Sequence, residues 1–202
     1  APLGDPESAD AAIFYSISNA QKGLNGINFG NFLIKRVVDS LSSELKGLKT
    51  FATLSPVPGF RMWLDKALAV DEAALLRANE HEAIKEVAPT GLRGLLGIPG
   101  WIDDPGHAAA ARDPLLRLCA HYLAEEKRPS GTALDSVAHF HLFNGARIEN
   151  LNWKADLSKR GIDQSAGIMV NFLYELDRID ANHEAYFGSG EVRTSSAVGG
   201  LL

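Results

Sequence analysis

The 202-residue sequence contains one cysteine, Cys119, so no disulfide can form within it, and a reducing compartment suits that economy. No apolar run approaches the ~20 residues that a bilayer-spanning helix needs, so no membrane partner is expected. The opening residues, APLGDPESADA, are acidic and polar where a secretory signal would be basic and then apolar, and a cytoplasmic location is expected. Positive charge is short: Lys and Arg total 20 against 25 Asp and Glu, a net −5, which argues against a nucleic-acid surface. His81 and His121 lack metal-ligand partners at usable spacing and read as ordinary helix residues. What is present is the composition of an ordinary globular domain, 46% hydrophobic and 22% charged, in a length that suits one domain with a substantial core.

The most organised stretch runs from about Ala12 to Ser55. An apolar segment with Ile13, Phe14, Tyr15 and Ile17 reads as a strand. A loop with Gly23, Gly26 and Gly30 follows. Phe32, Leu33, Val37, Leu41 and Leu45 then recur at helical spacing, and KTFATLS gives a second strand ending at Ser55-Pro56. A strand, a crossover helix and a strand in so few residues predict two parallel strands. The loop and Ser55 then both lie at the carboxyl edge of the sheet, where open α/β sheets bind ligands. In the loop, Gly26 and Gly30 let backbone N–H groups approach a ligand, and those groups lead into a helix N-terminus suited to phosphate. A plain turn with asparagines in left-handed conformations explains the same residues. Pro56 and Pro58 make a rigid exit after Ser55, which is either a hydroxyl fixed at the ligand edge or a turn serine bonding its own backbone. No G-x-S-x-G surrounds it, so a hydrolase nucleophile elbow is not supported.

From Arg61 to Arg128 the pattern is helical, with DEAALLRANEHEAIKEVA as one helix stopped by Pro89 and DPLLRLCAHYLAEEK as another. This region reads as a helical insertion over residues 61–128. In SVAHFHLFNGARIENLNW, Val137, His139 and His141 alternate with Ala138, Phe140 and Leu142, which predicts a strand with both histidines on one side. Asn144-Gly145 favours a hairpin into a second strand over Arg147 to Leu151. A histidine beside a binding edge suits general acid chemistry, because its ordinary pKa lies near neutrality; a structural histidine fits the pattern equally. A metal held by the pair would need a third ligand that the neighbourhood lacks. Ser165 to Ile179 reads as a helix in which Tyr174 either packs or aims its hydroxyl at a pocket. From Asp180 onward periodicity fades and the tail reads as loose.

The stretches AIFYSIS, GNFLIKRVV, LSPVPGF, PLLRLCAHYL, VAHFHLFNGA and NWKADLSKRGI, with the helix after Ser165, together resemble the C-terminal part of the malonyl-CoA decarboxylase family, in the family's order and over nearly the whole chain. The resemblance implies an α+β, or α/β, fold: a mixed sheet with flanking helices similar to the acyl-CoA N-acetyltransferases. It implies that residues 1–202 form a single, partial catalytic domain, truncated on its N-terminal side, and that homo-oligomer contacts belong to a helical domain ahead of it. It also implies conversion of malonyl-CoA to acetyl-CoA and carbon dioxide with no cofactor and no metal. The family's catalytic serine falls on Ser55 and its catalytic histidine on His141, not His139. Its CoA-contacting loop falls on Asn25, Gly26, Ile27, Asn28, Phe29, Gly30 and Asn31, and a pocket tyrosine on Tyr174. A loop position that can be glutamate in the family is Asn28 here. Chemically, loss of carbon dioxide leaves an enolate, which needs donors aimed at the malonyl group and an acid to protonate its α-carbon. Ser55 suits the first task and His141 the second. An acyl-CoA-dependent acetyltransferase and a non-catalytic CoA-binding fragment are the alternatives.

Overall fold

The computed structural model describes residues 5–15 and 30–202. Its first unit is strand β1 (Ala11–Phe14), helix α1 (Gly30–Glu44) and strand β2 (Thr50–Thr53). The two strands are parallel, with Ala11 opposite Thr50 and Phe14 opposite Thr53, as the strand–helix–strand reading expects. The helix buries Ile34 and Val38 and lays Leu41 against the core, where Leu45, just beyond its end, also packs. Val37, assigned to that face from sequence, is instead 36% exposed, because the apolar stripe is centred one residue further on.

Ser55 does not end β2. The chain breaks at Leu54, whose N–H donates to Phe14 O, and resumes as the short strand β3 (Ser55–Pro56). The run then follows β5 (Met169–Leu173) antiparallel, with Ala52 opposite Leu173, Ser55 opposite Val170 and Pro56 opposite Met169. Strand β4 (Arg147–Asn152) also pairs antiparallel with β5 and completes a mixed sheet of five strands. Val170 and Phe172 of β5 point into the core at period two, beside Ile148 and Leu151 of β4.

After β3 the chain is helical, as expected for residues 61–128: α2 (Phe60–Leu75), α3 (Ala78–Val87), α4 (Gly91–Leu96) and α5 (Pro105–Ala124). The single helix expected around residues 71–88 is divided. Asp71 leaves helical geometry (φ −158°, ψ 92°), and Glu80 reaches back to accept from Arg77 N at 2.8 Å, which starts α3. Glu72 accepts from Leu92 N and Arg93 N at 2.8 and 3.1 Å, so one carboxylate holds the N-terminal end of α4 against α2. Asp104 caps α5 by accepting from His107 N at 2.8 Å, with Pro105 in the first helical position.

Four expectations are overturned. Residues Ser136–Phe143 form helix α6, not a strand. The alternation of Val137, His139 and His141 is too short to exclude a helix, and Asp135 starts one by capping it. Asn144-Gly145 therefore ends a helix instead of turning a hairpin. Residues 165–179 are not a helix: α7 (Lys159–Ser165) stops at Ala166, and β5 follows. The left-handed Ala166 and Gly167 (φ 52° and 78°) turn the chain into β5. The tail is ordered as α8 (Ile179–Ser189) and α9 (Ser196–Gly199), and Thr194 bridges to Ile148.

Candidate active site

Period two places Thr53 and Ser55 on the core face of the sheet. Their side chains touch, Ser55 Oγ donating to Thr53 Oγ1 at 2.9 Å. Thr53 Oγ1 also accepts from Phe172 N at 3.2 Å, and Thr53 O accepts from Asn171 Nδ2 at 2.6 Å, so β5 fixes this threonine at both ends. Helix α6 brings the imidazole. Asp135 Oδ1 accepts from Val137 N and Ala138 N, both at 2.9 Å, which satisfies the first turn. Its second oxygen accepts from Tyr122 OH at 3.3 Å and Gly59 N at 3.4 Å. One buried carboxylate thus joins the helix that carries His141 to the exit of the segment that carries Ser55.

His141 lies flat on Phe172, ring centroids 4.5 Å apart, with the Phe140 ring edge-on to it. Its Nε2 stands 3.3 Å from Ser55 Oγ and its Nδ1 2.8 Å from Tyr174 OH. Tyr174 follows β5 directly and is anchored by its N–H, which donates to Phe51 O at 2.8 Å. Ser55, His141 and Tyr174 are 6%, 3% and 2% exposed. Burial lowers the His141 pKa to about 3 and pushes the Tyr174 hydroxyl well above its ordinary value, so both groups are neutral at pH 7. Neither nitrogen of this imidazole meets a carboxylate, so the series differs from a serine–histidine–aspartate triad, whose acid stabilises the imidazolium. A neutral, desolvated imidazole gains a proton most readily when an anion arrives beside it.

Tyr174 also lines a cavity of about 650 Å³ with Phe51, Ala52, Asn171, Leu173 and Glu175. Ser55, His141 and Tyr174, chosen from sequence, are therefore brought together by three separate elements. His139 is not with them: two residues along a helix is more than half a turn, and its Nδ1 lies 2.8 Å from Tyr186 OH. Gly30 and Asn31 form the first turn of α1, while Asn25, Gly26, Ile27, Asn28 and Phe29 lie outside the described residues. Among the described residues no three His, Cys, Asp or Glu side chains gather in a way that could hold a metal. Nor is any described helix long and apolar enough to cross a membrane. Sequence reasoning passed over Thr53 and Asp135, although each had a signal. Thr53 precedes Ser55 by two residues in a strand, and Asp135 stands directly before an apolar helical run.

Fold and site together define a mixed α+β domain whose buried serine, histidine and tyrosine form one hydrogen-bonded series. Residues 2–202 match the malonyl-CoA decarboxylase C-terminal domain, and the chain belongs to that family. It is 42% identical over 203 residues to the mitochondrial malonyl-CoA decarboxylase of Anser anser anser, covering 96% of this chain and 40% of that protein. With the mitochondrial enzyme of Rattus norvegicus the identity is 42% over 201 residues, 95% of this chain and 41% of the relative. The crystal structure of malonyl-CoA decarboxylase from Rhodopseudomonas palustris superposes with a TM-score of 0.85 at 46% identity, over 96% of this chain and 43% of that one. That from Agrobacterium vitis gives 0.84 at 45% identity, over 96% and 46%. The chain thus spans about two fifths of the length of its curated relatives.

Proposed function

We propose that this chain carries the reacting groups of a malonyl-CoA decarboxylase, which releases acetyl-CoA and carbon dioxide. The observation that supports the reading most strongly is the buried series Ser55–His141–Tyr174, two neutral hydroxyls on either side of a neutral imidazole. The malonyl carboxylate brings the negative charge that the site lacks, and with it a reason for His141 to take a proton from solvent. Ser55 orients the malonyl group. Cleavage of the carbon–carbon bond leaves its electron pair on the α-carbon as an enolate, and the imidazolium returns its proton there, giving the acetyl thioester. No proton or electron is left over, and nothing beyond substrate and solvent is consumed. Desolvation around His141 favours that return, since it makes the imidazolium a strong acid.

CoA is assigned to the loop of residues 25–31 and the N-terminus of α1, whose first-turn N–H groups suit a phosphate. The fold is read as acyl-CoA N-acetyltransferase-like, with the helices of residues 61–128 inserted into it. The test is incubation with malonyl-CoA in deuterated water, following acetyl-CoA by mass. Acetyl-CoA with one deuterium in its methyl group supports the reading; malonyl-CoA left intact by a chain extended to the length of its relatives overturns it.

A further inference from the structure

Tyr174, His141, Ser55 and Thr53 form one line of polar contacts, and the hydrogens along it can point in a single direction. Ser55 has one hydroxyl hydrogen, which goes to Thr53 Oγ1 at 2.9 Å. The Ser55 oxygen can then meet His141 Nε2 across 3.3 Å as an acceptor, so the ring hydrogen must sit on Nε2. A neutral imidazole has one such hydrogen, which leaves Nδ1 bare, and the 2.8 Å contact there is closed by the Tyr174 hydroxyl donating. Thr53 Oγ1 also accepts from Phe172 N–H at 3.2 Å and is fully buried, where a bond to water does not substitute.

We propose that Thr53 is a positioning residue that sets the polarity of this series, holding His141 in the tautomer with its hydrogen on Nε2, facing Ser55. For its catalytic consequence the inference rests on the decarboxylase reading. There, the protonated ring gives its Nε2 hydrogen to the α-carbon and is left with one on Nδ1. The acceptor at Thr53 draws Ser55's hydrogen away and favours the return of the ring hydrogen to Nε2 before the next turnover.

The tautomer is read from long-range proton–nitrogen spectra of the 15N-labelled chain at pH 7, with His141 assigned by the signal that vanishes in His141→Gln. The expected pattern is a protonated, pyrrole-type Nε2 and a bare, pyridine-type Nδ1. Thr53→Ser keeps it; Thr53→Val reverses it, and Thr53→Ala removes the same acceptor should the valine variant fail to fold. A wild-type ring with its hydrogen on Nδ1 overturns the proposal, as does an unchanged tautomer in a folded Thr53→Val or Thr53→Ala. In turnover of malonyl-CoA, loss of this one hydrogen bond is expected to lower kcat about fivefold with KM unchanged, and Thr53→Ser recovers most of the loss. An equal rise in KM with kcat intact contradicts the role. If a wild-type chain extended to the length of its relatives turns over no malonyl-CoA but the tautomers behave as stated, the polarity stands and the decarboxylase reading falls.

Discussion

His141 of α6 and Tyr174, just past β5, are 33 residues apart in sequence, and their Nδ1 and hydroxyl oxygen meet at 2.8 Å inside the core. The contact leaves neither ring nitrogen of His141 without a partner, which a desolvated imidazole requires. Tyr174→Phe removes the donor and keeps the ring that packs there. It is expected to destabilise the chain by about 1–2 kcal/mol, the cost of leaving one buried acceptor unmet, as measured by urea unfolding at pH 7.

The buried histidine also writes a pH dependence into stability. Its pKa in the folded chain is about 3, below the ~6.5 of an unfolded histidine, so between those values the unfolded chain binds the extra proton. Stability is therefore unaffected above pH 6.5 and falls as the pH drops towards 3. At pH 5 this one group is expected to cost about 2 kcal/mol relative to pH 7. His139, whose pKa burial also lowers, tilts the same way, so the comparison that isolates His141 is wild type against His141→Gln at both pH values. The variant is expected to show a pH slope smaller by about that amount.

Asp135 is 2% exposed and accepts from two N–H groups of α6, from Tyr122 and from Gly59. Asp135→Ala strips the cap and strands the buried Tyr122 hydroxyl together, and should destabilise by about 2–4 kcal/mol. Asp135→Asn keeps the Oδ1 acceptor for the helix but turns an amide N–H₂ towards Tyr122 and Gly59. It should cost roughly half as much in a denaturant series if cap and clamp contribute alike.

Gly145 occupies φ 80°, and a Cβ on it would lie 2.2 Å from Ile179 O, which is backbone and cannot swing away. Gly145→Ala is expected to lower stability by about 2 kcal/mol or more and to loosen the corner between α6 and β4. Differential scanning calorimetry against wild type measures it; an unchanged Tm contradicts the close approach seen here.

Local pattern was informative wherever a long element had a single environment. The parallel β1–β2 pair and the helices between Phe60 and Ala124 follow from periodicity and from a crossover too short for other topologies. It misled in SVAHFHLF and MVNFL, as it did in joining residues 71–88 into one helix and in leaving the tail loose. SVAHFHLF is apolar on both sides of α6, so alternation and helical spacing fit it equally, and the Asp135 cap decides. MVNFL is a strand because it is sandwiched between β2–β3 and β4, a tertiary circumstance that no local spacing reports. Ser55, His141 and Tyr174 were singled out by resemblance to a family. Their convergence depends on the register that sets Ser55 against Val170, and on the helix that turns His141 away from His139.

The central claim is that the Ser55–His141–Tyr174 series performs the decarboxylation, and it is tested most directly by the rate of carbon dioxide release from malonyl-CoA in wild type, Ser55→Ala and His141→Ala. The account predicts a loss of about 100-fold or more for His141→Ala, the usual scale for a missing general acid, and a clear loss for Ser55→Ala, with both variants folded by circular dichroism. Release at the wild-type rate from a folded His141→Ala variant would contradict it.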